Sequence, residues 1–199
     1  MQGLGIRVRV RHMVLGVCLL ATAGGCSQVT RVEQADAAER MEVDGFLHEH
    51  LPAAPMVTTA GAYRAMVILA DGDDGLDGFE ARESELKERG IVRSDWNLTR
   101  EACIDRGTLA YMVCQVLEIK GGVNRATLGA LGVGDRRYAV RELAYRGLLP
   151  NTPTYRYISG GELLDLMAQA DRYMAEHGLY EEQTEDLADV LESDTMRQD

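Results

Sequence analysis

Apolar residues recur at helical spacing in three stretches of the chain. Leu109, Met112, Val113 and Val116 form an i, i+3, i+4, i+7 series, Leu163, Leu166, Met167 and Ala170 repeat it, and Ala62, Ala65, Met66 and Leu69 give a fainter version. Such spacing puts all four members on one face, so each series predicts an amphipathic helix with a single buried stripe. The residues ahead of the series fit helix starts. Asp105 and Ser159 stand at the N-cap position, with Val57-Thr58 at the corresponding place in the first copy. Ser159 and Glu162 make an S-x-x-E capping box, in which each side chain satisfies a backbone N–H that the helix leaves unpaired.

A second pattern marks helix ends. The run from Glu85 to Ile91 matches the run from Glu142 to Leu148 at a spacing of 57 residues. In both, Gly90 or Gly147 takes the left-handed residue after the helix, an apolar residue follows, and Arg89 or Arg146 sits where the negative end of the helix dipole favours a cation. Downstream, Ile104 to Leu109 aligns with Ile158 to Leu163 at a spacing of 54, the difference falling in the loop. The chain therefore reads as repeated helix, loop, helix units. A degenerate first repeat covers residues 35–70, its first helix interrupted at Gly45 and ended by Leu51-Pro52. An acidic Gly/Asp linker at 71–78, a second repeat at 79–120, a Gly-rich connector at 121–135, a third repeat at 136–177 and an acidic C-terminal segment at 178–199 follow. The expected fold class is all-α, with two to three such repeats.

Composition agrees with that class: 46% hydrophobic residues and four prolines indicate a folded chain, while 6% aromatics is sparse for a β-sandwich. Arg7, Arg9 and Arg11 precede an uncharged stretch from Met13 to Gly25, the order of a secretory leader at residues 1–25, too short to span a bilayer comfortably. Its removal takes three arginines with it and moves the net charge from −11 to −14. No nucleic-acid partner is expected, because phosphate binding needs a cationic face.

Thr22-Ala23-Gly24-Gly25-Cys26 resembles the lipobox of bacterial lipoproteins, with Ala23 where leucine is usual. The resemblance implies cleavage before Cys26, acylation of its thiol and attachment to the lipid bilayer, with residues 26–34 as a tether. Ser27, standing where an aspartate would signal retention, implies the outer membrane, at its periplasmic face or else its extracellular one. A plain cleaved leader is the alternative. Cys18 would leave with the leader, so only Cys103 and Cys114 remain for pairing. On one continuous helix they would stand ~16 Å apart, beyond disulfide reach. Two buried thiols are expected, and a bridge would require Cys103 on a loop that folds back.

A unit of about 55 residues whose first helix closes in Arg-Gly-Ile or Arg-Gly-Leu, and whose second opens on Ile-polar-Arg-small-x-Leu, is similar to the S-layer homology (SLH) domain. The similarity covers residues 79–175, and 35–70 more weakly. The family's functional run, Ile-Thr-Arg-Ala-Glu-like, supplies an arginine that helps bind anionic, often pyruvylated, cell-wall polysaccharide between repeats. Here the second unit keeps Arg106 but has Thr108 for the glutamate, and the third keeps Glu162 but has Gly160 for the arginine. The first has Thr59 and Gly61 at the two positions. Arg106 and Glu162 are thus the ligand-binding candidates carried over from the family. Trp96, like Tyr155 in an intra-unit loop, could stack on a sugar ring or plug the gap between helices.

Other chemistry is not signalled. The Asp71 to Asp77 run fails the EF-hand count, and His48 and His50 at i, i+2 would point to different helix faces. Neither a G-x-S-x-G elbow nor a phosphate-binding glycine loop occurs. No catalytic residues, metal or cofactor are expected. The function that follows is that of a non-enzymatic envelope lipoprotein whose repeats attach to cell-wall polysaccharide or a wall-associated component. The alternative is a periplasmic scaffold that binds another envelope protein and no carbohydrate, favoured by the charge of −14, which would repel an anionic polymer.

Overall fold

Three cap residues set the frame. In the computed structural model, which describes residues 25–119 and 135–180, Thr58, Asp105 and Ser159 share an extended backbone. Each side-chain oxygen accepts from the N–H three residues on, at Gly61, Thr108 and Glu162 respectively. Behind them run the stripe-bearing helices α2 (Thr59–Asp71), α4 (Arg106–Val116) and α6 (Gly160–His177). The stripes lie in the core: Ala62, Ala65, Met66, Leu109, Met112, Val113, Leu163 and Ala170 are fully buried, and of the twelve stripe residues only Val116 is half-buried. Helices α1 (Gly25–Arg40), α3 (Gly78–Glu88) and α5 (Asp135–Tyr145) complete the set. Among the described residues β-structure is limited to two isolated bridges, Thr58 to Cys103 and Asp105 to Tyr157. The fold is all-α.

Helix starts and loops interlock in a closed ring of backbone hydrogen bonds. Thr59 and Ala60 donate to the carbonyls of Ala102 and Arg100, Arg106 and Gly107 donate to those of Arg156 and Thr154, and Gly160 donates to Ala54. The first N–H groups of a helix have no partner within it. Here each of the three helices finds those partners in a loop distant in sequence, and that need ties the three helix starts together. Val57, Ile104 and Ile158, just ahead of the caps, are buried at the centre of the ring, where Ile104 N–H donates to Val57 and Val57 N–H to Ile158. Helix packing follows the same circuit: α2 packs on α3, α4 on α5, and α6 on the segment before α2.

The stops at Gly90 and Gly147 take φ of 70° and 76°, and Ile91 and Leu148 behind them are buried. The chain also departs from expectation in three places. Residues 26–34, expected as a tether, are helical and belong to α1. After Gly45 the chain forms a π-helical turn, Phe46–His50, and a last helical turn, Leu51–Ala53, so the predicted interruption is a change of helical pitch. The acidic linker is anchored: the Asp74 side chain is fully buried, with Arg82 Nε and Nη2 donating to its two oxygens at 2.9 and 2.7 Å and Arg64 Nε 2.7 Å away. Most of the leader, nearly all of the Gly-rich connector and all but the start of the acidic C-terminal segment lie outside the described residues.

Candidate functional site

Arg106 and Glu162 come together, but with each other. The Arg106 side chain, 1% exposed, lies under the 152–156 loop; its Nη2 donates to Glu162 Oε1 at 2.6 Å and its Nη1 to the Thr152 hydroxyl. Glu162 also accepts from the Ser159 N–H and hydroxyl through Oε2, and Arg156 Nη2 stands 3.2 Å from its Oε1. The Ser159 N–H first, then its hydroxyl, Arg106 and Arg156, outweigh desolvation and hold the Glu162 carboxyl below the usual carboxylate range. The two residues that the family resemblance singled out therefore form an inter-unit strut between the starts of α4 and α6. Trp96 is likewise internal, 8% exposed, tilted against Tyr111 at 5.2 Å and covered by the Arg136 guanidinium at 4.9 Å. Tyr155 is 81% exposed.

The unit lacking the arginine has a steric reason for its glycine. A Cβ on Gly160 would stand 1.6 Å from the Leu51 carbonyl oxygen, so closure of the ring at this junction admits no side chain. At the equivalent place in the first unit, the Thr59 hydroxyl donates to the Ala102 carbonyl at 3.0 Å. Elsewhere, the half-buried His50 stacks on Phe46, and burial, with Arg64 nearby, pushes its pKa down. His48 is exposed, and among the described residues no cluster of histidine, cysteine or carboxylate side chains is arranged to hold a metal. Cys103 is half-buried and Cys114 buried, and neither forms a disulfide among the described residues.

Two concave surfaces stand out among the described residues, and neither was signalled by a sequence motif. The larger is a cleft of about 1120 Å³ between the end of α2, the 46–53 turns and one face of α6. Its floor is Ile68, Leu69, Met167 and Met174, and Leu47, Pro52, Leu164 and Leu179 form its apolar walls. Its rim carries Asp71, Asp171 and His48, together with Arg89, which is already paired to Asp71 and Glu85 at 2.5 and 2.6 Å. The smaller is a polar pocket of about 290 Å³ between α5 and the 151–154 loop, lined by Arg137, Arg141, Asn151, Thr152 and Thr154. The helical stripe predicted that Met167 is apolar and inward, but its spacing is the same for a residue under a neighbouring helix and for one under an open cleft.

Comparison with known proteins returns no match to any family model, any curated protein or any solved structure. Among the described residues no helix is long and apolar enough to cross a membrane.

Proposed function

We propose that the chain is a non-enzymatic adaptor of the bacterial envelope, lipid-anchored through Cys26, whose helical domain binds an apolar helix face of another envelope protein in the α2/α6 cleft. The lipobox-like run ahead of Cys26 supports the anchor and, with Ser27 after it, the periplasmic face of the outer membrane. The observation that carries the protein-binding reading is the cleft itself. It is walled by leucines and methionines, larger than a usual small-molecule pocket of ~300–1,000 Å³, and shaped between helices as grooves that accept an amphipathic helix are. Methionine's unbranched, polarizable side chain suits such a surface because it repacks around its guest. Two aspartates against one arginine leave the rim with a net charge of −1, so the partner helix carries lysine or arginine beside its apolar stripe. Attachment to wall polysaccharide through Arg106, Glu162 and Trp96 draws less support, because those side chains are engaged inside the fold.

The test uses a synthetic helical peptide with leucine at i, i+3, i+4 and i+7 and lysine elsewhere, beside its glutamate counterpart. The lysine peptide is expected to shift the Met167 and Met174 methyl resonances saturably, and Leu164→Glu to abolish the effect. Equal binding of the two peptides, or shifts confined to other methionines, would overturn the reading. Co-sedimentation of the protein with isolated wall sacculi, lost in a variant of the exposed Tyr155, would move the assignment to carbohydrate.

A further inference from the structure

The chain is acidic overall, but its charge is unevenly distributed. Between Lys120 and Tyr157 stand seven lysines and arginines and only two carboxylates, Asp135 and Glu142, in a protein of net charge −11. Both carboxylates are spoken for: Asp135 accepts from Arg93 Nη1 at 2.6 Å, and Glu142 stands 2.9 Å from Arg146 Nη2. Arg137 and Arg141, exposed on one face of α5, have no carboxylate partner among the described residues. Like charges at i, i+4 repel and destabilise an isolated helix. Here they border a pocket of about 290 Å³ whose far wall is Asn151, Thr152 and Thr154, close to the lower end of the ~300–1,000 Å³ range of small-molecule sites.

An independent feature lies behind that wall. Arg106 and Arg156 both direct Nη2 at the single Glu162 Oε1, so this trio has a net charge of +1, with the Arg156 side chain exposed to solvent. The Thr152 hydroxyl that takes up Arg106 Nη1 is the same residue that lines the pocket, and the buried Arg106 Nε has no hydrogen-bond partner among the described residues. The pocket itself is bordered by two exposed guanidiniums and has no carboxylate in its lining.

We infer that this pocket is an oxyanion-binding site for a phosphate or carboxylate group, held by Arg137 and Arg141 against the 151–154 loop. Paired guanidiniums suit such groups because each presents N–H donors in a fixed fork that matches two oxygens of the ligand. The site is separate from the α2/α6 cleft and does not depend on it.

The test is titration of the full chain with inorganic phosphate, and separately with acetate, each against sodium chloride at matched ionic strength, followed by the amide resonances of Asn151, Thr152 and Thr154. Saturable shifts centred on these residues are expected, with affinity at least tenfold weaker in Arg137→Gln/Arg141→Gln and unchanged in Arg172→Gln, a variant of an exposed arginine on α6. A response to phosphate alone assigns the ligand as a phosphate group, and a response to acetate of equal strength assigns a carboxylate. An unchanged affinity in the double variant, or shifts reproduced by chloride, would overturn the inference. Both arginines are exposed, so the double variant keeps the fold, which its far-UV circular dichroism verifies.

Discussion

Gly160→Ala and Gly161→Ala exchange the same atoms one residue apart and should move stability in opposite directions. At Gly160 the new methyl would lie 1.6 Å from the Leu51 carbonyl oxygen and 2.6 Å from its carbon, both backbone atoms that no rotamer change can clear. A carbon needs ~3.3 Å from a carbonyl oxygen, so α6 and the Leu51–Ala53 turn must part by roughly 1.7 Å. That movement breaks the 2.9 Å hydrogen bond from Gly160 N–H to Ala54, the link that closes the ring. Overpacking of this kind costs about 1–3 kcal/mol and the buried hydrogen bond about 0.5–1.5 kcal/mol, against a gain of ~0.5–1 kcal/mol from replacing glycine in a helix. The net expectation is a loss of about 2–3 kcal/mol. At Gly161 nothing lies within 4 Å and the residue is exposed, so only the gain remains, ~0.4–1 kcal/mol. Urea unfolding followed by circular dichroism and by the fluorescence of Trp96, the sole tryptophan, measures both. If the two variants fall within ~0.5 kcal/mol of each other, the close approach of α6 to Leu51 is not what fixes the glycine.

Asp74→Asn should cost about 3–5 kcal/mol in the same assay, because it leaves the buried Arg64 and Arg82 facing each other uncompensated, while Asp73→Asn, at an exposed neighbour, should change stability by less than ~0.5 kcal/mol. The folded-state pKa of Glu162 lies below its ordinary value of 4.5, so its contribution is complete above that pH and is lost as pH falls through the folded value. Glu162→Gln should therefore be less stable than the parent at pH 7, with the gap closing below about pH 4.5 in unfolding titrations across pH. Glu118 holds φ of 50° where α4 stops, and Glu118→Gly should gain ~0.5–1 kcal/mol, a small rise in melting temperature visible by scanning calorimetry.

The elements that could be read from the sequence were those whose signal is local. Caps at Asp105 and Ser159, stops at Gly90 and Gly147 and the three apolar stripes depend on residues within one helical turn of each other, and all fall in the expected places. The acidic run at 71–78 was harder, because Asp74 differs from Asp73 and Asp77 only through Arg64 and Arg82, brought to it from the helices on either side. The cleft and the polar pocket were not legible for the same reason. An apolar residue under a cleft and one under a helix have the same spacing, and an unpaired arginine is recognised only when its neighbours in space are known.

The two residues that the family resemblance singled out are engaged with each other. Arg106 and Glu162 each stand in the run where the resemblance places an arginine or a glutamate, each in a unit that lacks the other. Either side chain alone beside a buried junction would carry an uncompensated charge, at a cost of several kcal/mol. Because the ring sets the start of α4 against that of α6 through the 152–156 loop, the arginine of one unit meets the glutamate of the next at 2.6 Å, and the two half-motifs complete one another across the junction. Anion recognition by this chain would then fall to cations outside that pair, and among the described residues the arginines without a carboxylate partner that border a cavity are Arg137 and Arg141.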